Sequence, residues 1–238
     1  MGNFMQKTKI KICGLTKLDE LKWVSKEEVD FAGIVMFFPK SKRNMEPEKV
    51  KEIFDQYKQW LREEKTVKSP KFVAVTVSPT KEQIEEIIAL GFDYIQIHGT
   101  IKKDAFLAIK IPMIRAVQIK EDKQISDQVD FGKRSKNEVA NLGENAPERE
   151  LSQKAVYRLY DAAEPGSGKT FDWDALSKIG DENLILAGGL TIENVQKAIK
   201  STHPAVVDVS SGVEIAKDVV GKDQAKIIEF VRKVRINE

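Results

Sequence analysis

The chain is short of cysteine, of net charge and of long apolar runs, and each lack removes a class of protein. Its one cysteine, Cys13, cannot close an intrachain disulfide, so a reducing cytoplasm is the natural setting. Lys and Arg total 39 against 37 Asp and Glu. A balance that close gives no field to gather nucleic acid or an anionic membrane surface. No uninterrupted apolar stretch reaches the ~18 residues of a membrane span. The opening MGNFMQKTK lacks the apolar core of a signal peptide, and Gln6 stands where a myristoylation pattern wants Ser or Thr. What remains is a cytoplasmic protein of 238 residues, long enough to bury a substantial core, with neither nucleic acid nor membrane as partner.

Short β-rich apolar runs alternate with longer helical patterns. The predicted strands are KIKICGL (9–15), FAGIVMF (31–37), KFVAVTV (71–77), DYIQIHG (93–99), MIRAVQI (113–119), AVYRLYD (155–161), LILAGGL (184–190) and AVVDVSS (205–211). Several are apolar almost throughout, as strands buried on both faces should be. Between the second and third, Val50, Ile53, Phe54, Tyr57, Trp60 and Leu61 keep the spacing of a one-faced helix. Thr16 with Asp19 resembles a capping box, Pro79 suits the first turn of a third helix, and Ile227, Ile228, Val231 and Val234 predict a final amphipathic one. Eight such units predict an α/β fold, a (β/α)8 TIM barrel in one domain, with a doubly wound open sheet as the alternative. No linker divides the chain, but Lys120 to Glu150 is a charged stretch longer than a barrel needs, expected to hold helix 5 and a solvated insertion.

GSGKT (166–170) raises a different possibility, because it ends like a nucleotide-binding P-loop, and AVVD (205–208) looks like a Walker B strand. The strict motif wants glycine at 163, where Ala163 stands. A P-loop helix should also begin at Lys169-Thr170, whereas Phe-Asp-Trp follows and Asp172 or Asp174 resembles the cap of a later helix. The segment is therefore expected to be a loop covering substrate.

Barrel enzymes carry their chemistry at the C-terminal ends of strands. Those ends hold Cys13, Arg43 in the following loop, Gln96, His98, Asp161, Gly188-Gly189 and the Asp208-Val-Ser-Ser-Gly212 turn. Singly, each has a plain structural explanation: Cys13 as core filler, Asp161 or Asp208 as a turn holder, His98 as a packing residue, Arg43 as part of a solvated loop with Lys40 and Lys42. The glycine turns say more together. AGGLT (187–191) and SSGVE (210–214), with Gly166, Ser167 and Gly168, could offer backbone N–H groups to a phosphate, glycine keeping Cβ atoms out of the way. A phosphorylated small molecule is the expected ligand.

KICGLT (11–16), GIVMFFPKSKRNM (33–45), DYIQIHG (93–99), the Asp161 segment through GSGKTFDW, LILAGGLTIENV (184–195) and VDVSSGVE (207–214) together resemble the phosphoribosylanthranilate isomerase family of tryptophan biosynthesis. The resemblance spans nearly the whole chain. It implies an Amadori rearrangement of N-(5′-phosphoribosyl)anthranilate to 1-(2-carboxyphenylamino)-1-deoxyribulose 5-phosphate, with no cofactor and no metal. By position it implies Cys13 as general base and Asp161 as general acid. Arg43 would hold the anthranilate carboxylate, and Gln96, His98 and Asp208 would line the substrate. Phosphate would sit on Gly166, Ser167, Gly168, Gly188, Gly189, Ser210, Ser211 and Gly212. A protonated carboxyl can open the furanose by protonating its ring oxygen, and a thiolate can then remove the proton that the iminium has acidified. Related isomerases of histidine biosynthesis use aspartate at the end of strand 1, so the thiol points to the tryptophan pathway. The chain departs from the family pattern in reading IAKDVVGKD where a Pro-Gly turn often follows SSGVE, and in its charged insertion. A barrel that keeps the ligand site without catalysing is the remaining alternative, and the enzyme could be a monomer or a homodimer.

Overall fold

The computed structural model describes residues 7–118, 145–146, 148–161, 173–177, 179–216 and 219–236. Among the described residues, eight parallel strands alternate with eight helices: β1 Lys9–Cys13, α1 Leu18–Lys26, β2 Phe31–Met36, α2 Pro47–Glu63, β3 Lys71–Val77, α3 Lys81–Leu90, β4 Tyr94–His98, α4 Lys103–Ala108, β5 Met113–Gln118, α5 Glu148–Lys154, β6 Tyr157–Asp161, α6 Trp173–Ser177, β7 Leu184–Leu186, α7 Val195–Thr202, β8 Val206–Val209 and α8 Gln224–Arg235. Each strand pairs with its sequence neighbours, and β1 pairs with both β2 and β8, which closes the barrel. A two-residue strand, Asn44–Met45, pairs with β2 in the loop that follows it. Among the described residues no helix is long and apolar enough to cross a membrane.

The strands bury two faces, and the core is correspondingly double. Outward-facing residues such as Ile10, Ile12, Ile95 and Ile97 pack against the helices. Inward-facing ones, among them Phe31, Val73, Val75, Ile114, Leu159, Ile185 and Val206, fill the barrel. This explains why the strands read as continuous apolar runs rather than alternating ones.

The strand ends differ from expectation where a turn intervenes. Gly14 adopts φ 78°, and Gly188 and Gly189 adopt φ 82° and 65°. The chain therefore turns away after Cys13 and Leu186, and β1 and β7 stop short of their predicted ends. Thr16 is not the cap of α1. Its backbone N–H, and that of Lys17, donates to the carboxylate of Glu20, at 2.6 and 3.2 Å. Pro79 precedes α3, whose cap is Thr80, with Gln83 as the reciprocal partner. In α8, Ile227, Val231 and Val234 are buried as expected, while Ile228 is exposed. Asp174 lies inside α6, while Asp172 and most of the 120–150 stretch fall outside the described residues.

Candidate active site

The inward-facing positions of β1 are Lys9, Lys11 and Cys13, two residues apart on one face. The third of these reaches the C-terminal mouth of the barrel. There a cavity of about 210 Å³ is lined by Cys13 from β1, Gln96 and His98 from β4, Asp161 from β6 and Asp208 from β8. Arg43, from the loop after β2, completes one wall, and Gly188, Gly189, Ser210 and Ser211 form the rim after β7 and β8. Gly212 is not part of the lining. A Cβ there would overlap the Leu190 carbonyl oxygen, so glycine at this position serves loop-to-loop packing. Gly166, Ser167, Gly168 and the remaining GSGKT residues lie outside the described residues.

The floor of the cavity is polar. Lys11 is fully buried, with Nζ 2.8 Å from Oδ2 of Asp208. Burial works against its charge, but Asp208 and Cys13 outweigh that and hold its pKa above the ordinary lysine value. Burial pushes the Asp208 carboxyl up, against the pull of Lys11 and Lys222. The Gln96 amide nitrogen lies 2.8 Å from Nε2 of His98. Burial, then Lys11 and Arg115, lower the pKa of His98 to about 4, so its ring is neutral at physiological pH. Donation from Gln96 to Nε2 then leaves the ring proton on Nδ1. Oδ1 of Asp208 and Oε1 of Gln96 are buried acceptors without a hydrogen-bond partner among the described residues, and both residues line the cavity. Polar atoms in that state are costly unless something meets them.

Cations dominate the wall. Nε of Arg43 donates to Glu214 at 2.5 Å, and Lys42 and Lys222 flank the same carboxylate at 3.6 and 3.7 Å. Burial would raise the Glu214 pKa, but Arg43, Lys222 and Lys42 hold it below the usual carboxylate range. Arg43 is thus fixed against the site, not spread on a solvated loop face. Lys222 is buried, which lowers its pKa, and donates to the carbonyl oxygen of Ser210 at 3.0 Å and to its Oγ at 3.3 Å. Ser210 Oγ in turn donates to the carbonyl oxygen of Cys13 at 3.0 Å. On the far rim, Asn194 accepts from the Thr191 N–H and donates to the Gly189 carbonyl, both at 2.8 Å, fixing the double-glycine turn. Burial raises the Cys13 thiol pKa; Lys11 opposes that most, Asp208 adds to it, and Lys222 and Arg43 pull it down.

Lys11, Lys222, Glu214 and Glu20 were not singled out from the sequence. Lys11 does carry a signal: KIKIC puts it at the same strand parity as Cys13. Glu214 and Lys222 meet through loops, where no periodicity marks them.

The chain matches the family description N-(5′phosphoribosyl)anthranilate (PRA) isomerase over residues 10–139 and 128–233. It is 33% identical over 230 residues to the N-(5′-phosphoribosyl)anthranilate isomerase of Streptococcus mutans, covering 96% of this chain and 99% of that one. Among solved structures, phosphoribosyl anthranilate isomerase from Thermotoga maritima superposes with a TM-score of 0.73 at 29% identity, covering 96% of this chain and 98% of the other. A phosphoribosyl anthranilate isomerase in complex with reduced 1-(o-carboxyphenylamino)-1-deoxyribulose 5-phosphate superposes with a TM-score of 0.69 at 27% identity, covering 96% and 98%.

Proposed function

This chain belongs to the N-(5′-phosphoribosyl)anthranilate isomerase family, and we propose that Cys13 and Asp161 divide the proton transfers of its reaction between them. The enzyme isomerises N-(5′-phosphoribosyl)anthranilate in tryptophan biosynthesis. The observation that carries the residue assignment is the shared cavity, where a thiol and a carboxyl from β1 and β6 stand beside a cationic wall and two acceptors without a partner among the described residues.

Asp161 gives its proton to the furanose ring oxygen as the C1–O bond breaks. The anilino lone pair closes the C1=N bond of an iminium. Cys13, as thiolate, then takes the proton from C2, and the C–H electron pair becomes the C1=C2 bond while the nitrogen recovers its lone pair. The enolamine ketonises, O2 losing a proton and C1 gaining one, so substrate and product are isomers and both side chains regain their starting forms by exchange with water. Arg43, with Nε engaged by Glu214, offers its terminal nitrogens to the anthranilate carboxylate. Asp208 and Gln96 supply acceptors for ribose hydroxyls, and the phosphate goes to the Gly188-Gly189 turn with Ser210 and Ser211. A cytoplasmic location, where the single thiol stays reduced, belongs to the same assignment.

Loss of anthranilate-dependent fluorescence with purified protein and freshly generated substrate measures the reaction. Cys13→Ser and Asp161→Asn should each lower turnover by ~10²–10⁴ while the protein stays folded and keeps most of its product affinity. Because the base acts deprotonated and burial raises its pKa, kcat/KM should climb with pH through the neutral range. Near-normal turnover in Cys13→Ser would assign the base to another group.

A further inference from the structure

Two strands bring an ammonium, a thiol and a carboxylate together inside the barrel, and a third faces them with a glycine. Lys11 and Cys13 share the inner face of β1, and Asp208 reaches them from β8, its Oδ2 2.8 Å from Lys11 Nζ. On the other side stands Gly33 of β2, paired with Cys13. A Cβ on Gly33 would lie 3.1 Å from Cys13 Cα and 3.2 Å from both Cys13 Sγ and Lys11 Nζ. Sulfur and ammonium therefore crowd the same point above this glycine. An extended strand does not need glycine for its backbone conformation, and a glycine inside one marks a close approach.

We propose that Lys11 is a positioning residue that holds the Cys13 thiolate as its charge partner, with Asp208 sharing the ammonium and Gly33 supplying the space in which the two meet. The inference rests on the assignment of Cys13 as base, but concerns how that base is ionised. A buried ammonium needs an anion, and Asp208 supplies one while the sulfur is protonated. Lys11 has three N–H donors, enough to serve a second anion when the thiol ionises. Among the described residues, the other charges acting most on Cys13 are Lys222 and Arg43, both cationic, while His98, near Lys11, is neutral and Asp161 lines the same cavity from β6. These cations oppose the effect of burial and of Asp208 on the thiol, and Lys11 opposes it most. A lysine that merely staples β1 to β8 would leave the thiol indifferent to its charge.

The two cases separate in the free protein. Cys13 is the chain's only cysteine, so the pH dependence of its alkylation by iodoacetamide reports it alone. Asp208→Asn leaves Lys11 to the sulfur and should lower the inflection by about one pH unit or more. Lys11→Met combined with Asp208→Asn removes both charges without stranding a buried carboxylate, and should raise the inflection above that of Asp208→Asn by at least as much. Inflections of wild type and both variants agreeing within a few tenths of a unit would reduce the pair to a staple. If the double variant does not fold, Asp208→Asn against wild type still decides, since an unchanged or raised inflection overturns the proposal. The assignment of Cys13 as base fails separately: the wild-type alkylation inflection would then differ from the ascending limb of kcat/KM, whatever the variants do.

Discussion

Lys9 and Lys11 stand two residues apart on the same face of one strand, yet they belong to opposite halves of the barrel interior. Lys9 donates to the Tyr157 hydroxyl at 3.1 Å and lies 5.8 Å from the centre of that ring. Around it Phe31 meets Tyr94 and Tyr157 edge-on, with ring centres 5.5 and 5.8 Å apart. Aromatic pairs in that arrangement add to the stabilisation from buried area. Lys11, one layer higher, pairs with Asp208 beside a thiol, a neutral histidine and two acceptors with no partner among the described residues. The lower half is filled and satisfied. The upper half keeps polar groups in need of a ligand, at a cost in stability that the lower half helps to offset.

The widest test of that contrast lies in the lower half. Phe31→Ala should remove about 3–5 kcal/mol of stability, measured by urea unfolding, because a buried ring is lost from a packed layer. Turnover per folded molecule should stay within a few-fold of wild type. A collapse of turnover in fully folded protein would mean that the two halves are coupled.

His98 tests the upper half through pH. Its folded pKa, about 4, lies below the ordinary value of 6.5, so between those values the unfolded chain binds a proton that the native state refuses. Stability should therefore fall as pH drops from 6.5 towards 4, by up to about 3 kcal/mol from this group. His98→Asn should flatten that limb of the unfolding free energy against pH. An unaltered slope would mean that the ring takes its proton in the folded state without penalty.

At the mouth the expected effect is smaller and confined to binding. Arg43→Ala should weaken affinity for the product by ~1.5–3 kcal/mol, the range for charged hydrogen bonds, as read by calorimetric titration. Its unfolding midpoint should move less than that of Phe31→Ala. Undiminished affinity would leave Arg43 only its bond to Glu214.

Much of the barrel was legible because strands buried on both faces and one-faced helices leave strong periodic signals. Val50, Ile53, Phe54 and Tyr57 are all buried on α2 as their spacing implied. Boundaries were less legible, since β7 ends at Leu186 through the positive φ of two glycines, while the apolar pattern runs on. In the site, residues at strand ends stood out, and those named from β1, β4, β6 and β8 line one cavity. The supporting charges did not stand out. Lys11 and Asp208 are 197 positions apart, and Arg43 and Glu214 171, separations at which no local pattern links the partners.

The same separations set a timetable for synthesis. Asp208 and Lys222 leave the ribosome some two hundred residues after Cys13, on the order of 10–40 s later at ordinary elongation rates. Glu20 waits as well: its Oε1 accepts the backbone N–H of Lys222 at 2.8 Å, tying the first turn of α1 to the loop after β8. For that interval the nascent thiol has neither the ammonium–carboxylate pair nor the closing loop around it. It should react there as an ordinary exposed cysteine, which alkylation of stalled chains ending before β8 would show directly. The charges that set its ionisation are thus completed by residues made some two hundred positions later.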